Sequence, residues 1–195
     1  MTSSNPTSSC MINTPVKSTA PAGSRAESLL PNAYFHDAWA ISPARPELDP
    51  LGQFLRVASL TPKWVDQMMI LRNRIVGQFG LKNLGGLSSI DSSRPGSQYL
   101  PGDRVGIFTL IEKTEQEVLL GDDDKHLNVV VSVHKGLDST SGGTIVTVTT
   151  VVHVKNWFGR LYMLPVAPAH HVIARTMVKS IGNEALPVAQ SVRQR

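Results

Sequence analysis

The sequence predicts an α+β fold in which a curved antiparallel sheet wraps around a long C-terminal helix, and three observations predict it. Apolar residues recur at steps of three and four over about 49–80, the period falls to two over about 105–154, and helical spacing returns after 169. Of the 195 residues, 41% are apolar and 17% charged, enough hydrophobic material for one domain with a core.

The elements follow in order. Residues 1–28 are mostly Ser, Thr, Pro, Ala and Asn, so ordering them would cost backbone entropy with little to bury, and a disordered tail is expected. The domain is expected over 29–184, with a polar tail at 185–195. Tyr34 to Ile41 reads as a first strand ended by Pro43 and Pro46. Asp49 to Leu60, with Leu51, Phe54, Leu55 and Ala58 at helical spacing, is the first helix. Thr61 can cap the second, Pro62 suits its first turn, and Trp64, Met68, Leu71, Ile75 and Phe79 make an amphipathic stripe that ends at Gly80. Residues 83–103, rich in Gly and Ser, form a long loop.

Four strands are then expected, Val105–Ile111, Glu117–Leu120, His126–Val133 and Thr144–Val154, with turns at 121–124 and 136–143. Short turns between successive strands make an antiparallel meander. Pro165 and Pro168 introduce a last helix, about Ala169 to Ile181, which Gly182 ends. The simplest way to bury both layers is a helix-grip arrangement, which leaves a space between sheet and helix.

Charge and cysteine content narrow the function. The net charge is +4, but the basic residues occur singly or in pairs, as in Arg72 and Arg74, rather than clustered as phosphate binding requires, and no nucleic-acid partner is expected. A lone cysteine, Cys10, excludes an internal disulfide and a multi-cysteine metal site. No run reaches the length of a membrane span, and the first 30 residues lack the basic start and apolar stretch of a secretory signal, so a cytoplasmic protein is expected.

Few residues offer chemistry. On the last helix His170, Ala174, Met177 and Ile181 share one face, while His171 lies with Arg175 and Val178. His170 is expected to face the sheet, either as an acid, base or hydrogen-bond donor to a ligand or as a structural histidine near a helix start, which the residues favour. Asp122, Asp123, Asp124 and His126 resemble a metal cluster in composition. Consecutive residues in a turn point in different directions, however, and a solvated acidic turn explains them better; no metal is expected. His126, Asn128, Ser132 and His134 give one strand a polar face, which either meets solvent, the favoured reading, or lines a polar pocket. His153 shares the side of Thr147 and Thr149, as in a half-buried strand. Trp157, Phe158, Arg160 and Tyr162 form an aromatic and basic cluster that fits an anion-accepting ligand entrance and a packed corner equally well. No G-x-S-x-G and no His-x-x-x-His pair are found.

Three stretches carry a family resemblance: TPKWVDQMMILRNRIVGQFGLK (61–82), GDRVGIFTLIEKTEQEVLLGDDDKHLNVVVSV (102–133) and VTVTTVVHVKNWFGRLYMLPVAPAHHVIARTMV (146–178). Together they resemble the family catalogued as domain of unknown function 2867. The resemblance implies a START-like, or SRPBCC, helix-grip domain with no assigned reaction. Some relatives are joined to short-chain reductases, but no G-x-G-x-x-G is present here. Where the family pattern reads roughly His-Leu-Asp-Phe-Arg, this chain has His126, Leu127, Asn128, Val129 and Val130, so a charged pair is neutral. Of a Pro-Phe-His pattern only Pro168 and His170 carry over.

The resemblance implies an apolar pocket between sheet and C-terminal helix. The residues expected to face it are Trp64, Met68, Phe108, Tyr162, His170, Ala174 and Met177, with a small apolar or amphipathic ligand as partner and no cofactor. The competing expectations are a cyclase- or hydrolase-type enzyme using His170 with Arg160, and an interaction module that pairs with a reductase or forms a homodimer.

Overall fold

Strands rich in β-branched residues, Thr144–Val154 above all, build one open sheet in the computed structural model of the chain, which describes residues 12–77, 90 and 94–184. Its strands are β1 (Val16–Lys17), β2 (Phe35–Ile41), β3 (Arg104–Val105), β4 (Phe108–Lys113), β5 (Glu117–Asp123), β6 (Leu127–Leu137) and β7 (Thr144–Val154). They lie in the order β1-β2-β7-β6-β5-β4-β3, and every neighbouring pair is antiparallel. The helices are α1 (Arg25–Ser28), α2 (Pro50–Ser59), α3 (Lys63–Gly77) and α4 (Trp157–Gly182). The α+β class and the pairing of an antiparallel sheet with a long C-terminal helix agree with the sequence.

Register sorts the side chains into two layers. Asp37 lies opposite Thr150, Thr150 opposite Val131, and Val131 opposite Leu120, so these four share the side that faces α4, as do Ile41, Val146 and Val133 two or four residues along. On that side the main core joins Ile41, Val118, Leu120, Val133 and Val146 to Leu51 and Val57 of α2 and to Val178 and Ile181 of α4. A second, smaller cluster at the other end of the strands joins Leu127 and Val152 to Met163.

The opposite side of the sheet holds a correction. Residues 12–28, expected as part of a tail, join the fold: β1 pairs with β2, and Ile12 and Ser42 bond each other. The backbone N–H groups of Arg25 and Ala26 donate to the carboxylate of Glu117, at 2.7 and 3.2 Å, and Ser132 Oγ donates to the same group at 2.6 Å. Glu117 thereby satisfies the free donors at the start of α1, a long-range contact that composition cannot reveal. The polar face of β6 accordingly meets α1 at Ser132, which is 1% exposed, rather than solvent alone.

Three boundaries also shift. Gly121 to Asp123 belong to β5, where Asp122 is buried, so the expected acidic turn lies later, and Asp124 N–H bonds Leu127 O across it. On α3, Trp64, Met68 and Leu71 are 41%, 42% and 52% exposed while Val65 is fully buried; the stripe expected to enter the core lies outside it. The Ile75 and Phe79 side chains and the segment 78–89 lie outside the described residues.

Pro165 and Pro168 stand inside α4 instead of introducing it, because Asn156 caps the helix by accepting from Gly159 N–H at 3.1 Å. Both prolines sit on the outer face, and the carbonyls they cannot pair with belong to the exposed Leu161 and Leu164, where water can reach them. Gly159 is required there: a Cβ would come within 2.5 Å of the His126 carbonyl oxygen. Among the described residues no helix is long and apolar enough to cross a membrane.

Candidate functional site

Strand alternation places Asp37 on the same side of β2 as Phe35, Trp39 and Ile41, so a carboxylate enters the layer between sheet and α4. It is 3% exposed. Oδ2 accepts from Trp39 Nε1–H at 2.8 Å and lies 2.7 Å from Nδ1 of His171. A carboxylate only accepts, so the imidazole donates from Nδ1, which fixes its tautomer and leaves Nε2 as the far end of the pair. Oδ1 is buried and has no hydrogen-bond partner among the described residues.

His170 stands beside this pair. Its ring meets Phe35 edge-on, with centroids 5.4 Å apart, and its Nε2 is buried without a partner among the described residues. Burial pushes its pKa below the usual histidine value; the Asp37 charge acts against this and His171 adds to it. His170 is therefore neutral at neutral pH. The two histidines and Asp37 form a polar layer between the two apolar clusters, at the level where β2, β7 and β6 carry Asp37, Thr150 and Val131.

α4 packs on β2 and β7. Val129 and Val131 of β6 and Val148 of β7 face the helix side on central strands, yet each remains only half-buried, as do Val166, Ala174 and Met177 on the helix. Half-buried apolar side chains beside a buried polar layer are surroundings that suit a molecule that is mostly apolar and carries a hydrogen-bonding group. The Asp-oriented imidazole of His171 can accept or deliver a proton at Nε2.

The structure separates the residues expected from sequence. Phe108 is half-buried against the main core, its ring 6.1 Å from Phe54, and Met177 packs on the same cluster. Tyr162 flanks the second cluster and its hydroxyl accepts from Arg72 Nε at 3.0 Å. The His170 ring lies against Phe35 of β2, and Ala174 is half-buried. Trp64 and Met68 are exposed on α3 and do not join them. Arg160 is exposed too, and ten residues of helix, roughly 15 Å, separate it from His170, too far for the two to share one water. Asp37, Trp39 and His171 were missed. The signal was present in YFHDAWAI: a charged residue on the apolar side of a strand.

The other polar groups serve the fold. His126 and Asn156 bond each other at the start of α4, His153 Nε2 lies 3.3 Å from Pro31 O, and Asp123 pairs with Lys155 at 2.5 Å. Among the described residues no three of His, Cys, Asp and Glu are grouped to hold a metal. An open groove of about 510 Å³ lies between Glu47, Asp49, Lys113, Thr114, Glu115 and Lys135, away from the polar layer. Its lysines are committed, Lys113 to the carbonyls of Gly96 and Tyr99 and Lys135 to that of Leu48.

No curated protein and no solved structure matches the chain. A family model does, over residues 29–177, which takes in β2 to β7 and most of α4, and the chain therefore belongs to the family described as Protein of unknown function (DUF2867).

Proposed function

We propose that the chain binds a small apolar or amphipathic molecule in the crevice between α4 and the sheet, with the polar group of the ligand at the Asp37, His170 and His171 layer. The observation that carries this reading is the half-burial of Val129, Val131 and Val148. Side chains on the packed side of central strands are ordinarily closed over, since each buried methylene contributes about 0.8 kcal/mol. Apolar area left open at that place is stabilised by an apolar occupant. The buried polar layer supplies orientation, because a ligand that left those groups unpaired would bind less well.

Native mass spectrometry of the purified protein, before and after denaturation, tests the proposal. The expected result is a small molecule released on denaturation, or uptake of an environment-sensitive naphthylamine dye that a long-chain alcohol displaces. Val131→Trp and Met177→Trp, which fill the crevice from opposite walls, should abolish uptake while the protein still melts cooperatively. Dye binding unchanged in both folded variants would overturn the proposal.

A further inference from the structure

The outer face of α4 carries a second surface. Trp157, Leu161, Leu164 and Val172 are 74%, 53%, 65% and 59% exposed, and with the exposed Pro168 they follow one another at steps of three and four, a single stripe roughly 22 Å long. The stripe continues at the same spacing into Arg175 and Lys179, both exposed, and Arg160 lies at its edge. None of these three cations forms an ion pair among the described residues. α4 contains no Asp or Glu at all. The result is a helix with an apolar outer ridge, a tryptophan at one end and a cationic end at the other.

We propose that this face docks onto an anionic lipid surface, the helix lying in the plane of the interface. Its features are those of interfacial helices: bulky apolar residues enter the headgroup boundary, tryptophan sits at headgroup depth, and basic residues meet anionic lipid. Charge complementarity decides among the occupants. In a twofold pair of copies, antiparallel α4 helices would bring the Arg175 and Lys179 of each onto the apolar ridge of the other, where α4 offers no Asp or Glu to pair with them. An acidic protein would need a groove shaped to a convex ridge, whereas a bilayer accepts such a ridge without one. The inference is independent of the ligand crevice, which lies on the opposite side of the same helix.

Co-sedimentation of the full chain with vesicles of phosphatidylcholine alone, and of phosphatidylcholine with phosphatidylserine, tests it. Binding is expected to the second kind and to weaken as salt is added. Leu161→Ser with Leu164→Ser, and separately Arg175→Glu with Lys179→Glu, should each lower partitioning at least about tenfold. All four positions are exposed, so the melting transition should stay in place. Absence of binding to phosphatidylserine vesicles would overturn the proposal, as would binding that the Leu161 and Leu164 changes leave intact. A concentration-dependent dimer abolished by those same changes, without vesicle binding, would assign the face to a second copy instead.

Discussion

Nδ1 of His171, on α4, lies 2.7 Å from Oδ2 of Asp37, on β2, and joins the last helix to the first long strand through a carboxylate whose side chain is 1% exposed. The contact spans 134 residues and crosses the layer between the two apolar clusters. Trp39 Nε1–H shares the same oxygen. Because the carboxylate is buried, its donors matter more than their number suggests: each hydrogen bond to a charged group contributes more than a neutral one, and an ion left unpaired is costly.

Removing either member should therefore destabilise the fold by different routes. Asp37→Ala leaves the half-buried Trp39 indole without its acceptor, with an expected loss of about 1–3 kcal/mol. His171→Ala leaves the carboxylate with Trp39 alone, and the expected loss is of the same size or larger. Urea unfolding of both single variants and the double variant measures the coupling. A double variant whose loss equals the sum of the two single losses would show that the two residues act independently.

His170 should make stability depend on pH. Its folded pKa is lowered, chiefly by burial, so the unfolded chain, whose imidazole titrates near about 6.5, binds a proton more readily than the folded one. Stability from this group is complete above the unfolded value and is lost as pH falls below it toward the lowered folded value. The urea midpoint should drop between pH 7.5 and pH 5.5, approximate limits chosen to bracket that range, and the drop should shrink in His170→Gln. An unchanged pH dependence in that variant would place the titration elsewhere.

Glu117 should govern the docking of the N-terminal segment. Its carboxylate receives two backbone N–H groups of α1 and the Ser132 hydroxyl, and it is 7% exposed. Glu117→Ala removes the acceptor for all three, with an expected loss of about 1–3 kcal/mol and faster proteolysis near Arg25. Glu117→Gln should be intermediate, because its amide keeps one acceptor oxygen and turns an NH2 group toward other donors. Limited trypsin digestion with mass analysis of the first cut distinguishes these outcomes; a first cut elsewhere at wild-type rate would show that the segment is held by other contacts.

The sequence by itself determined the α+β class and, from Tyr34 on, most of the order of helices and strands. These are local matters: period two or period 3.6 is written in neighbouring residues, and Asp49 and Gly182 mark helix ends within a turn. It also puts His170, Ala174 and Met177 on one face of the last helix, because residues at steps of three and four share a side. Only the tertiary structure decided the rest. Pro165 and Pro168 read as a boundary until the fold set both on a water-facing side of α4, where the hydrogen bonds they forfeit cost least. The spacing of Trp64 and Met68 made them pocket candidates, but periodicity names a face and not its neighbour, and among the described residues no packed layer covers that face. Asp37 and His171, and Glu117 and Arg25, are partners across 134 and 92 residues. Such contacts form because burial leaves each charged group one place to find a donor, and that place exists only once sheet and helices have come together.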